Sequence, residues 1–469
     1  VEGDLEVQIE IADDHVSSAW VNAPLYRGFE QMLVGKDPRD ALVITPRICG
    51  ICSVSQSVAA ARALAQAQGI DYTPNGQTAT NLILACENVA DHLSHFYLFF
   101  MPDFARQGYA GKSWYQDIAQ RFAAQCGSAS REMLPARADL LHITGILAGK
   151  WPHSLALRPG GTTRAVELRE RMKLLSIVMA FRRFLEGTLF GDRLEAVSAL
   201  GSHEQLRDWA ASHRDSDFAR FLMLADDLGL HRLGRASDRF MSYGAYPTGN
   251  DPLFRAGIWH EQHQPLRTET ICEDISHSWL HAQRLPKHPF DGSTLPDADA
   301  PGAYSWSKAP RYDGQVVEVG ALARQLIDDH PLIRAMVSAT GGNVGNRVVA
   351  RLLELARVVP VMEQWVRALR IGEPFCNQGQ VPEEGQGVGL VEAARGSLGH
   401  WLRVKHGRIL NYQIVAPTTW NFSPRDEKEI PGALEQALIG TPVDANGTDC
   451  VAVQHVVRSF DPCMVCTVH

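Results

Sequence analysis

The sequence predicts a mainly α protein with small β elements, an α+β fold whose large helical body carries a β hairpin near each end. Three observations carry that expectation. Long runs in the middle place apolar residues at helical spacing, and short stretches near both termini alternate apolar with polar. One Cys-x-x-Cys pair stands near each end, Cys49 with Cys52 and Cys463 with Cys466. A site fed by both pairs needs the termini to meet at a buried metal site, so residues 1–469 are expected to form one domain.

The first alternation, Leu5, Val7 and Ile9, then Val16, Ala19 and Val21, is broken by Ala12-Asp13-Asp14 and reads as a hairpin over residues 4–22. A short helix at 27–34 follows, and Asp37-Pro38-Arg39-Asp40 suits the start of another. Cys49 and Cys52 then stand at the start of a long helix running through Ala59 to Leu64. Residues 81–101 form a second long helix, with Leu82, Ala85, Val89, Leu93 and Phe96 on one face, and residues 163–189 and 320–336 read as further helices. The middle is therefore expected to be mostly α. The Pro-, Gly- and Asp-rich stretch 286–312 reads as a surface excursion, because helical sequence resumes on both sides. From 388 to 417 the pattern returns to β, with a hairpin turning at His406-Gly407, and a last helix near 445–459 delivers the terminal cysteine pair.

Composition narrows the function classes. A formal charge of −8 with no basic block points away from nucleic acid. The longest apolar stretch, Leu174 to Phe181, is bounded by Lys173 and Arg182 and falls well short of the roughly 20 residues a membrane span needs. No stretch of the sequence reads as a signal peptide, and a chain beginning at Val1 is expected to lack a short leading piece. Five of the nine cysteines (Cys86, Cys126, Cys272, Cys376, Cys450) stand alone, which is no disulfide framework; they are expected to be small core residues of a protein in a reducing compartment.

The paired cysteines carry the chemistry. Residues i and i+3 of a tight turn present two thiolates to one ion, and four sulfurs suit zinc as well as nickel or iron. Zinc ribbons keep both pairs within one small module, whereas Cys52 and Cys463 are 411 positions apart. A terminal His469, three residues after the last cysteine, adds an imidazole and a carboxylate nearby.

Nearly end to end, the chain resembles the large catalytic subunit of [NiFe] hydrogenases. The resemblance rests on Glu2-Gly3, Arg27-Gly28-Phe29-Glu30, Arg47-Ile48-Cys49-Gly50-Ile51-Cys52, Asp91-His92-Leu93, Ala394-Arg395-Gly396, Pro417-Thr418-Thr419-Trp420-Asn421, and the terminal Asp461-Pro462-Cys463 to Cys466 and His469. It implies that Cys49, Cys52, Cys463 and Cys466 hold nickel, with Cys52 and Cys466 bridging to an iron bearing carbon monoxide and two cyanides. Dihydrogen would be split heterolytically, its proton passing from Cys463 to Glu2. Arg395 would face the metals, fixed by Asp91 and Asp461, while Ala394, Thr418 and the Arg395 backbone would line the pocket of the diatomic ligands. Glu30, the carbonyl of Ile414 and His469 resemble the ligands of a magnesium site. Read without the resemblance, Glu2 is a solvated chain-end carboxylate and Arg395 a surface ion-pair residue.

Several positions depart from the family's pattern, Ala394 at the pocket wall and the others bearing on the kind of hydrogenase. Gln56 stands where most members have His, Asp4 replaces a His, and Ala394 replaces a Pro. Ile51 and Phe99 are bulkier than the usual Val and Leu, as in hydrogen-sensing regulatory members, where they narrow the gas channel; read plainly, both are core packing. The resemblance thus implies a regulatory hydrogen sensor with low turnover and oxygen tolerance, with a respiratory uptake hydrogenase as the rival reading and a structural zinc scaffold as a remote one. Either hydrogenase needs an iron-sulfur small subunit, in a heterodimer or a dimer of heterodimers, because this chain has too few paired cysteines for clusters of its own. A sensor further implies a histidine kinase partner and a cytoplasmic location.

Overall fold

The computed structural model describes residues 3–249, 251–443 and 450–468. The opening hairpin pairs Glu6–Ala12 with His15–Asn22 in antiparallel register. Its two-residue turn puts Asp13 and Asp14 at positive φ, the turn whose twist matches that of paired strands. Helix Phe29–Leu33 follows, and then the helix that begins directly after the first cysteine pair, Ser53–Gln68.

That helix lies against a three-stranded antiparallel sheet of Glu384–Ala393, Gly396–Lys405 and Arg408–Val415. Contact is backbone on backbone. A Cβ at Gly387 would fall 2.0 Å from the carbonyl oxygen of Ala63, and one at Gly389 would fall 1.9 Å from that of Ala59. Alternate glycines on the strand thus meet alanines four apart on the helix, which the periods of strand and helix place on facing surfaces. The second turn of this sheet, His406-Gly407, is again a pair of positive-φ residues, as the sequence suggests.

The helical body is built by Pro74–Ser94, Ser128–Ala148, Leu168–Phe184 and Val344–Ala368, which pack around a continuous apolar core. No helix among the described residues is long and apolar enough to cross a membrane.

Several expectations are corrected. The helix expected at 81–101 begins at Pro74, because Thr73 caps it by accepting from the Gly76 amide, and it passes into a π turn at His95–Phe100. The one expected at 163–189 starts at Leu168 and likewise closes with a π turn, Leu185–Phe190. The run 320–336 is two helices, Ala321–Ile327 and Pro331–Thr340. Asp329 takes a positive φ there, and His330 is held extended by the proline that follows. The middle is less helical than expected: Phe240–Thr248, Asp251–His260, Gln262–Gln264 and Glu318–Val319 make a four-stranded sheet. The stretch 286–312 is not a surface excursion at its end, because Ala309–Tyr312 pairs with Ile271–Asp274 and Lys308 and Arg311 are buried in ion pairs. The three-stranded sheet starts at Glu384 and not at 388, and the last helix is Val451–Ser459, the expected start at 445 lying outside the described residues. Of the five lone cysteines only Cys86 is buried; Cys126 is exposed and the others are half-buried.

Candidate metal centre

The two cysteine pairs meet. Cys49 Sγ lies 3.4 Å from Cys463 Sγ, Cys52 Sγ 3.1 Å from Cys466 Sγ, and Cys463 Sγ 3.1 Å from Cys466 Sγ. All four sulfurs are buried within 4.8 Å of one another, the one such group among the described residues. Local structure sets each pair. The amides of Ile51 and Cys52 donate to Cys49 Sγ at 3.2 Å, and the Cys466 amide donates to the Cys463 carbonyl at 2.9 Å.

The loops are then tied to each other. Arg27 Nη2 donates to the carbonyl of Ile48 at 2.7 Å and, at a short distance, to that of Val465. Thr418 Oγ1 accepts from the Cys463 amide at 3.1 Å, and Thr419 Oγ1 donates to the Thr467 carbonyl at 3.2 Å. Gly3 lies so close to the second loop that a Cβ there would fall 2.5 Å from the backbone of Met464 and Val465. The N-terminal segment therefore reaches the site, although Glu2 itself lies outside the described residues, as does His469.

Above the thiols stands Arg395, at the tip of a two-residue turn closed by the pairing of Ala393 with Gly396. Gly396 has a φ of +131°, and a Cβ there would meet the Gly320 amide at 2.7 Å, which accounts for the Arg-Gly sequence. Arg395 Nη1 donates to Asp91 Oδ2 at 2.6 Å and Nη2 to Asp461 Oδ1 at 3.3 Å. Burial works against its charge, but Asp461, Asp91 and the sulfurs of Cys463 and Cys52 hold it well above the ordinary arginine value, so the guanidinium is a fixed cation. Burial pushes Asp91 up to about 6 against the pull of Arg395. For Asp461 burial also opposes ionisation, yet Arg395, His95 and Arg351 outweigh it and hold the carboxyl below its usual value.

Four sulfurs this close cannot all ionise by themselves. Hydrogen bonds from Cys463, Cys466 and Cys52 pull Cys49 well down, while the same thiol contacts push Cys52 and Cys466 well up. Positive charge among them resolves the conflict, so the donor set fits a soft divalent metal held by thiolates.

Behind Arg395 lies an ion network with no sequence signal. Arg324 donates to both oxygens of Glu354 at 3.0 Å, to Glu392 Oε2 at 2.8 Å, and to the carbonyls of Ala393 and Ala394 at 2.8 and 3.0 Å. It thereby fixes the turn that carries Arg395. Near the second expected site, Glu30 Oε1 accepts from the Ile414 amide at 2.7 Å and from Lys308 at 3.2 Å, while Lys308 also lies 2.7 Å from Glu273. Burial raises Glu273 to about 7. One ammonium faces two buried carboxylates, and Glu30 Oε2 has no hydrogen-bond partner, so the cluster fits a hard cation such as magnesium.

Gln56, the departure on the cysteine helix, is bonded by Oε1 to His400 Nε2 at 2.7 Å, and His400 Nδ1 to Tyr412 Oη at 2.8 Å. Neither Ile51 nor Phe99 is core packing: they are 40% and 47% exposed. A channel wall built from them is thus not enclosed by this chain alone.

A profile of the nickel-dependent hydrogenases matches residues 27–112 and 106–469. The chain belongs to that family. This hydrogenase is 29% identical to the periplasmic [NiFeSe] hydrogenase large subunit of Desulfomicrobium baculatum, an alignment covering 100% of this chain and 93% of that one. It is 27% identical to the hydrogenase-2 large chain of Escherichia coli (100% and 95% covered) and 28% identical to the uptake hydrogenase large subunit of Rhodobacter capsulatus (100% and 93% covered). Among solved structures it is similar to the reduced Ni-Fe-Se hydrogenase of D. vulgaris Hildenborough, with a TM-score of 0.84 at 28% identity and coverage of 100% and 98%. The hydrogenase is thus a nickel-dependent large subunit whose four-cysteine site suits a nickel-iron centre.

Three groups that organise this hydrogenase carry little or no sequence signal. Arg27 lies inside a motif the sequence singles out, and its position before Gly28 is the available clue. Arg324 and Lys308 stand in no motif, and only their burial reveals them.

Proposed function

We propose that this hydrogenase large subunit cleaves dihydrogen heterolytically as a cytoplasmic, low-turnover hydrogen sensor. The observation that carries cleavage is the buried four-thiol cluster beside the fixed Arg395 cation. Cys49, Cys52, Cys463 and Cys466 would hold the nickel-iron centre, Cys52 and Cys466 also reaching the iron. When bound, that centre supplies the Lewis-acid and redox chemistry that polarises dihydrogen. The chain's own residues do the rest. Cys463 Sγ takes the proton and Glu2 receives it. Arg395, held between Asp91 and Asp461, keeps a positive charge facing the thiolates and water-excluding packing around them. Thr418 fixes the Cys463 amide, and with Ala394 and the Arg395 backbone it would line the pocket for the iron's carbon monoxide and cyanide ligands. Glu30, the Ile414 backbone and His469 would hold magnesium beside Lys308, tying the C-terminus to the core.

The relatives are named large subunits or large chains, and a partner is supported by the surface here. Each cysteine loop exposes an apolar residue between its thiols, Ile51 at 40% and Met464 at 44%, and Phe99 lies exposed as well. An iron-sulfur small subunit would cover this face, carry electrons away and close the passage that Ile51 and Phe99 narrow. A narrow passage slows flux and hinders oxygen, which suits occupancy sensing and a downstream histidine kinase. The second reading, respiratory uptake, is supported equally, since one of the relatives is named an uptake hydrogenase large subunit.

An infrared spectrum of the purified complex under hydrogen, repeated after air, tests both. Carbonyl and cyanide bands that persist unchanged in air support the sensor; conversion to a new oxidised, inactive state supports uptake. Absence of bands overturns the nickel-iron reading.

A further inference from the structure

Helix Ser53–Gln68 begins with an anomaly: its N-cap residue, Cys52, makes no capping hydrogen bond through its side chain. Helix N-termini leave amides unsatisfied, and the N-cap side chain ordinarily accepts from the second or third of them. Here a buried carboxylate from another helix does so. Glu87 Oε2 accepts from the Val54 amide at 2.9 Å, and Oε1 accepts from the Ser55 amide and the Ser55 hydroxyl, each at 2.9 Å. Trp151 Nε1 donates to Oε2 at 3.1 Å, and the same loop is pinned where the His153 amide donates to Ser53 Oγ at 3.2 Å.

We infer that Glu87 is a positioning residue for the metal centre, acting as a substitute cap that frees Cys52 to turn its sulfur to the cluster. The inference rests on the four-thiolate reading above. Two effects follow from the geometry. The first is orientation: with the Val54 and Ser55 amides engaged elsewhere, Cys52 Sγ faces Cys466 Sγ at 3.1 Å instead of folding back onto its own helix. The second is electronic. A thiolate at a bare helix N-terminus is stabilised by the exposed amides and becomes a weaker donor. Glu87 occupies those amides with its carboxyl oxygens, so they draw less on the Cys52 sulfur, which stays electron-rich. Burial raises the Glu87 carboxyl to about 8 even though the amide and indole donors pull the other way, so its effect on Cys52 is exerted through the acceptor oxygens and not through a charge. Both oxygens are engaged, Oε2 by the Val54 amide and the Trp151 indole and Oε1 by the Ser55 amide and hydroxyl, so the carboxyl is held in one orientation over the helix start.

The test is the infrared spectrum of the intact complex carrying Glu87→Gln and, separately, Trp151→Phe. Glu87→Gln replaces one acceptor oxygen by an NH2 group and leaves one backbone amide without its acceptor, so sulfur donation falls and the carbonyl band moves to higher wavenumber. Trp151→Phe removes one of the two donors to Oε2, strengthens the remaining bond from the Val54 amide, and moves the band to lower wavenumber. Amide hydrogen exchange at Val54 and Ser55 accelerates in Glu87→Gln only. Bands that stay in place in both variants, with only their intensity lowered, overturn the inference by reducing Glu87 to a structural residue. Should Glu87→Gln fail to assemble, Trp151→Phe alone decides by the presence or absence of its downshift. Absence of bands in the wild-type complex would instead overturn the metal reading on which the inference stands.

Discussion

Replacing Arg324 by methionine removes every donor of a fully buried guanidinium while keeping much of the side chain's apolar bulk. The balance of this part of the core is then lost: Glu354 and Glu392 keep their charges, and the carbonyls of Ala393 and Ala394 lose their donors. Burial alone would raise Glu354, yet Arg324 and the hydrogen bond with His92 outweigh it and bring it down to about 2, a measure of how far it depends on those partners. Removing one partner from a buried ion pair costs about 3–5 kcal/mol, because the other charge is left uncompensated. Arg324→Met is expected to lower stability by that amount in urea unfolding followed by tryptophan fluorescence. Activity should fall as well, since the Arg395 turn loses its anchors. The triple variant Arg324→Met, Glu354→Gln, Glu392→Gln should recover most of the stability, because no bare charge remains and the amide introduced at position 354 can still accept from His92. A loss below about 1 kcal/mol for the single variant, or a triple variant as unstable as the single one, would refute the reasoning.

Other outcomes follow from the same geometry. Gly389→Ala drives a methyl group into the Ala59 carbonyl, so the strand must move off the cysteine helix; a loss of about 1–3 kcal/mol or more is expected in the same unfolding assay, with reduced nickel content. Thr418→Val leaves the buried Cys463 amide without an acceptor, a cost of about 1–3 kcal/mol, and a melting temperature equal to wild type would contradict it. The pH profile has opposing parts. Burial depresses His95, His400 and His455 to about 3, so their contribution is present above the ordinary value near 6.5 and is lost as pH falls. Glu273 and Asp91, raised to about 7 and 6, act in reverse and lose stability as pH rises through those values. The two sets offset each other in part between pH 7 and 5. Below about 4.5 the raised carboxyls are protonated in both states, and the histidines with Glu354 remain, so stability should fall by up to about 5 kcal/mol per pH unit. A loss between pH 7 and 5 as steep as that below 4.5 would show that the raised carboxyls are not what the burial implies.

Much of the fold is legible in the sequence where local rules govern. The turns at Asp13-Asp14 and His406-Gly407 follow from residues that tolerate positive φ, and the start of the long helix at the first cysteine pair follows from its alanine-rich run. The meeting of the two cysteine pairs is readable only as a demand of the chemistry, which the fold then meets. What stays hidden depends on partners far along the chain. Lys308 reads as a surface residue in a polar stretch until Glu30 and Glu273 surround it. The sheet containing Phe240–Thr248 escapes the pattern because that strand is buried almost throughout and carries Ser, Gly and Pro within it, which blurs the alternation. Ile51 and Phe99, apolar and therefore expected inside, lie on the face of this chain.

The four sulfurs gathered from both ends of the chain are held here to bind nickel and iron. Elemental analysis of the purified complex and of a Cys463→Ser variant tests that claim most directly. Equimolar nickel is expected in the wild type, with iron beyond that of any cluster-bearing partner, and nickel should be lost in the variant. Zinc in the wild type with no nickel would contradict it.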